Sequence, residues 1–164
     1  NTGWNFAWLG RMLERADQTS RILDVKYYIL LPDVSMVGMS LDTVQWTAVL
    51  KSVSAFEMFR KTYANVTPQN VSEFLLLNRE FPRSVLYCVE HAERALHKIT
   101  EHQKTSNGEK SLRVIGKLKS NLEFSTIDEV ISDGLHEEID EIQLRLSHFN
   151  AAVRNDFFDC TWQV

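Results

Sequence analysis

Trp4 to Leu31 is the stretch whose reading decides the fold, and at its centre stands Leu9-Gly10-Arg11-Met12-Leu13-Glu14-Arg15-Ala16-Asp17. On a wheel of roughly 100° per residue, Leu9, Met12, Leu13, Ala16, Ser20, Leu23, Tyr27, Leu30 and Leu31 share one broad stripe. That is the core-facing side of an amphipathic helix. The opposite side is apolar as well, with Trp4, Ala7, Ile22, Val25 and Ile29, and only a narrow strip of Asp17, Arg21, Asp24 and Tyr28 reads as a water face. The pattern predicts a central helix about 42 Å long, packed between neighbours. Arg11, Glu14 and Gln18 fall in the middle of the second apolar side, with Arg15 and Arg21 bordering them. Charges enclosed between helices are costly unless paired. This polar cluster of Arg11, Glu14, Arg15, Gln18 and Arg21 therefore has two readings: a buried network that fixes helix register, or an anion-binding groove in which three arginines outnumber one glutamate.

Outward from that helix, three prolines and six glycines in 164 residues leave long uninterrupted segments, which favour helices. Pro32-Asp33 ends the first helix, and Trp46, Val49, Leu50, Val53, Phe56, Phe59 and Tyr63 predict a second running from Ser40 or Asp42 to Ala64. Thr67-Pro68 starts a short third, to about Asn78, and Phe81-Pro82 starts a fourth, to about Gln103. Thr105-Ser106-Asn107-Gly108 is a turn-forming connection to a fifth, about Glu109 to Leu122. Ser125 is placed to cap a short piece from Ile127, and the last helix runs from Leu135 to about Asp159 with its acidic residues in the first turns. The expectation is an all-α, up-and-down bundle of about five to six helices, one domain over residues 1–164, with the first long helix central.

Composition excludes several classes. A formal net charge of −4 lacks the basic excess of a nucleic-acid binder. No apolar run reaches transmembrane length and no signal-peptide pattern opens the chain, so a cytoplasmic protein with Cys88 and Cys160 as reduced, buried thiols is expected. Nothing resembles a phosphate-binding loop, so no nucleotide or other cofactor is expected in this chain. Carboxylate-bridged metal bundles need a Glu-x-x-His on each of two helices; here only Asp133-x-x-His136 and the row Glu90, Glu93, His97, Glu101 come near, and no metal is expected. Cys88 with His91 one turn on lies in an apolar helix interior and is read as structural. Trp4, Trp8, Trp46 and Trp162 could stack on a ligand, but aromatics at helical spacing usually build core. No catalytic residue is assigned.

The run Trp4, Phe6, Leu9-Gly10-Arg11, Leu13-Glu14-Arg15-Ala16-Asp17, Thr19, Arg21, Leu23-Asp24-Val25-Lys26-Tyr27 and Leu30-Leu31-Pro32 resembles the signature helix of the bacterial alpha-E family. Trp46 with Leu50, Phe74-Leu75-Leu76-Leu77, Phe81-Pro82-Arg83-Ser84 and Gly134-Leu135-His136 extend the similarity over nearly the whole chain. Family members usually carry an earlier copy of the Trp-Leu-Gly-Arg to Glu-Arg helix, so the chain resembles the C-terminal half of such a protein. The resemblance implies no known reaction. It implies a neighbourhood of ATP-grasp-type ligases and transglutaminase-like proteases, hence a non-catalytic partner or scaffold in peptide synthesis or modification. The alternative expectation is an enzyme or anion-binding domain acting on a peptide or amide, with Glu14 as acid or base and the arginines as clamps.

Overall fold

The computed structural model describes residues 1–30, 40–103 and 108–159. Apolar residues recurring at three and four drive them into eight helices, and no strand occurs among the described residues. The helices are α1 (Thr2–Leu30), α2 (Ser40–Ser52), α3 (Phe56–Thr62), α4 (Pro68–Leu77), α5 (Val85–Gln103), α6 (Glu109–Phe124), α7 (Ile127–Asp133) and α8 (Leu135–Phe157).

Four long helices close a ring in the order α1, α5, α6, α8, and each neighbouring pair runs antiparallel. Phe6 meets Phe157 edge-on at 5.4 Å while Asp24 meets His136, so the start of α1 lies at the end of α8. Thr19 bonds Arg83 before α5 begins, whereas Trp4 and Trp8 face Lys98 and Arg94 near its end. Lys119 bonds Glu93 across α5 and α6, and Ser111 bonds Asp156 across α6 and α8. Ala16 and Ser20 on α1 and Cys88, Ala92 and Ala95 on α5 are small and buried, which lets those two backbones lie close. The shorter helices add to the ring: α2 and α4 also pack on α1, making it the central element, and the core is filled by Met12, Leu23, Trp46, Phe59, Phe74, Leu96 and Phe149.

The up-and-down bundle is as expected, but the described residues form eight helices instead of five or six. The predicted second helix is two, because the chain breaks at Ser54. The Ser54 amide donates to the Lys51 carbonyl at 3.0 Å and the Ala55 amide to the Leu50 carbonyl at 2.7 Å, a helix-ending motif that holds Ser54 at φ 57°. Glycine usually fills that left-handed position, so its serine gave no signal. The fourth predicted helix begins at Val85 and not at Pro82. Asn78 Oδ1 accepts from the amides of Glu80 at 2.9 Å and Phe81 at 2.7 Å, bending the chain. Ser84 then caps α5 by accepting from the Tyr87 amide at 3.2 Å, while its own hydroxyl donates to the Asn78 carbonyl. Likewise Thr126 and not Ser125 caps α7, in a reciprocal box with Glu129.

Candidate functional site

The polar cluster on α1 is not enclosed. Arg11, Glu14, Gln18 and Arg21 are exposed and Arg15 is half-buried. Gln18 donates to Glu14 at 3.0 Å and Arg21 to Asp17 at 2.8 Å, both within the helix, and Arg11 lies 5.9 Å over the ring of Trp8. The register-fixing network is therefore corrected, since Arg11, Glu14, Gln18 and Arg21 are exposed and bond only along α1 among the described residues. So is the groove made of all five. The apolar side that suggested enclosure is itself open: Trp4 and Val25 are largely exposed, and Ile22 and Val25 line a groove facing Ala48 and Val49 of α2.

Arg15 behaves differently from the rest. One turn further along α1, the buried Thr19 hydroxyl donates to the Arg83 carbonyl at 2.8 Å, tying the turn before α5 to α1. That bond brings Arg83 beside Arg15, and both guanidiniums are near enough to act on the Cys88 thiol. Together with Lys61, Glu57, Ser54 and Phe81 they line a cavity of about 440 Å³. Among the described residues, neither Arg15 nor Arg83 has an ion-paired carboxylate, so three cations face one acid. Left-handed Ser54 sits on the wall, the kind of backbone strain that accumulates at binding sites. Chemically, two forked guanidiniums in a half-open cavity suit a carboxylate or phosphate. Arg83 and Thr19 were visible in the sequence as parts of separate motifs, but nothing in the sequence told that they touch.

A family model described as "Alpha-E: a predicted alpha-helical domain with a conserved ER motif" matches residues 1–158. The chain belongs to the Alpha-E family. No curated protein and no solved structure matches it. This Alpha-E chain contains two Glu-Arg steps, Glu14-Arg15 and Glu93-Arg94. The first places its arginine in the cavity; the acid of the second pairs with Lys119 at 2.7 Å and its arginine with Glu90.

Among the other chemical candidates of this Alpha-E domain, Cys88 and Trp46 are buried and Glu90 and Glu93 are paired with cations. Cys88 is free and buried, and burial pushes its thiol up to about 12 against the opposing pull of Arg15 and Arg83. A thiol so held is protonated at neutral pH and is a poor nucleophile. Cys160 and Trp162 lie outside the described residues, and Trp46 is buried with the Lys26 ammonium 4.9 Å over its ring. In the Glu90, Glu93, His97, Glu101 row, Glu90 and Glu93 are half-buried and paired with cations.

His136 does not form a ligand pair with Asp133. Its Nδ1 meets Asp24 at 2.6 Å and its Nε2 faces Asp140 at 3.6 Å. One ligand atom from each of Asp24, His136 and Asp140 lies within 4.8 Å of the others, close enough to share one ion. The arrangement is an ion pair tying α1 to α8. The hydrogen bond to Asp24 raises the imidazole pKa above its ordinary value, opposed by partial desolvation and helped by Asp24, Asp140 and Glu137. A raised folded pKa means stabilisation that is full below the unfolded value near 6.5 and is lost as pH rises through the folded one. Melting of wild type and His136→Gln from pH 5 to 9 should therefore show a gap that is widest at acid pH and closes on going alkaline. A gap constant with pH would refute the charged pair.

Proposed function

We propose that this domain is a non-catalytic helical partner in a bacterial, cytoplasmic system containing an ATP-grasp-type ligase and a transglutaminase-like protease, and that it holds a carboxylate-bearing peptide segment of that system in the Arg15–Arg83 cavity. The observation that carries the reading is the convergence of two guanidiniums, 68 positions apart in the chain, on one cavity without an acid to neutralise both. Such a pair is poised for a bidentate contact with an anion brought by another molecule. An enzymatic role for Glu14 finds no support, because this side chain is exposed and accepts from Gln18 along its own helix.

The test uses the full chain with an ATP-grasp-type ligase and a transglutaminase-like protease from the same host, each purified separately and titrated by calorimetry. Saturable binding to one of them is expected, weakened about tenfold to a hundredfold by Arg15→Glu and by Arg83→Glu. Arg11→Glu, on the exposed face away from the cavity, should bind like wild type, and melting of all three variants should stay within a few degrees of it. No binding to either protein, or binding indifferent to both cavity variants, would overturn the proposal.

A further inference from the structure

The opposite end of the α1–α5 seam holds a second concave site of different character. Trp4 and Trp8, one turn apart on α1, stack with ring centroids 6.3 Å apart and planes 21° from parallel. Trp4 is 61% exposed, an unusual placement for an indole beside a cavity. Facing the pair, His91, Arg94 and Lys98 of α5 complete a cavity of about 390 Å³ that no carboxylate lines. Lys98 has no ion pair among the described residues, and Arg94 keeps donors free beyond its single contact with Glu90. The wall is rigid: His91 stacks on Tyr87 at 3.8 Å, and its Nδ1 donates to the Tyr87 carbonyl at 2.8 Å.

We propose that the cavity formed by Trp4, Trp8, His91, Arg94 and Lys98 binds a small planar aromatic carboxylate, its ring against the indoles and its carboxylate on Lys98 and Arg94. The exposed indole supplies an unmet apolar face on which a flat ring can stack. The cations on the facing helix stand where the acid group of such a ring would reach them. The volume admits one bicyclic acid and little more. A long polyanion fits less well, because Glu90 pairs with Arg94 and the chain as a whole carries −4. Spacing made the site: Trp4 and Trp8 are four apart, and His91, Arg94 and Lys98 are three and four apart, so both stripes face one seam.

The proposal is independent of the Arg15–Arg83 reading, and one titration separates them. With 2-naphthoate as probe, calorimetry and the indole N–H resonances should show saturable binding that shifts Trp4 and Trp8. Trp4→Ala and Lys98→Glu, both at exposed positions, should each weaken it about tenfold or more while leaving melting unchanged. Arg15→Glu should bind 2-naphthoate like wild type. Cyclohexanecarboxylate, which has the charge without the flat ring, and 2-naphthylmethylammonium, which has the ring with the opposite charge, should both bind at least about tenfold more weakly. The assignment is overturned if 2-naphthoate does not saturate, if either control equals it, if Trp4→Ala is silent, or if an acidic tryptophan-containing peptide binds where the free acid does not.

Discussion

Phe74→Ala is expected to remove about 3–5 kcal/mol of folding stability, the range for deleting a fully buried aromatic ring from a packed core. Phe74 is the hub of a four-ring cluster: it meets Phe59 edge-on at 5.5 Å, Tyr63 edge-on at 6.2 Å and Phe81 stacked at 5.1 Å. Those partners come from α3, the residue that ends it and the turn before α5, so one ring joins three segments. Tyr63 cannot easily move in to fill the hole, because its hydroxyl donates to Glu73 at 2.9 Å. Incomplete collapse leaves a cavity, and the cavity term adds to the lost transfer energy. For a chain of this size the melting point should fall by roughly 10 °C or more, with an unchanged denaturant slope. Phe81 also lines the Arg15–Arg83 cavity, so partner binding at that site should weaken in the same variant even where it remains folded. A loss below about 1.5 kcal/mol would mean that the rings are not packed as described.

The fold was legible where a helix buries one face and begins with a recognisable cap. Thr67 caps α4 through the Asn70 amide at 3.1 Å with Pro68 in the first turn, as its sequence announces. Legibility failed where two signals compete. Ser125-x-x-Asp128 and Thr126-x-x-Glu129 are equally good capping patterns on paper, and only the register of Ile127 and Val130 against the core selects the second. The break at Ser54 was hidden because Val53 before it and Ala55 and Phe59 after it all reach the core, so the apolar rhythm runs on across the gap. On α1 the error was one of inference from composition. Trp4 and Val25 were counted as packed because they are apolar, yet they line open grooves, and the charges between them are consequently solvated. The Arg15–Arg83 cavity could not be read at all, since its halves come from segments far apart in the chain, one of whose ties is the Thr19 hydroxyl bond.

Asp42→Ala should be the most damaging change to a polar side chain, at about 3 kcal/mol, because of what it leaves behind on α1. Lys26 is only 3% exposed, lies over Trp46, and its ammonium bonds Gln45 Oε1 at 2.8 Å and approaches Asp42 at 3.5 Å. Removing the acid strands a buried cation with a neutral amide and a ring face, and stripping one partner from a buried pair typically costs about 3–5 kcal/mol. The longer ion contact puts this case at the low end. Burial already lowers the Lys26 pKa despite the opposing pull of Asp42. A lysine whose folded pKa lies below its unfolded value is a burden when charged, so its penalty is present at neutral pH and relieved as pH rises through the folded pKa toward about 10.4. Without Asp42 the folded pKa drops further, and the variant should regain part of its lost stability between neutral and alkaline pH, relative to wild type. Lys26→Met in the Asp42→Ala background removes the stranded charge and keeps the contact with Trp46, so it should recover most of the loss at pH 7 and abolish the alkaline gain. If the double variant is as unstable as Asp42→Ala alone, the damage lies in the packing of α2 and not in the uncompensated ammonium.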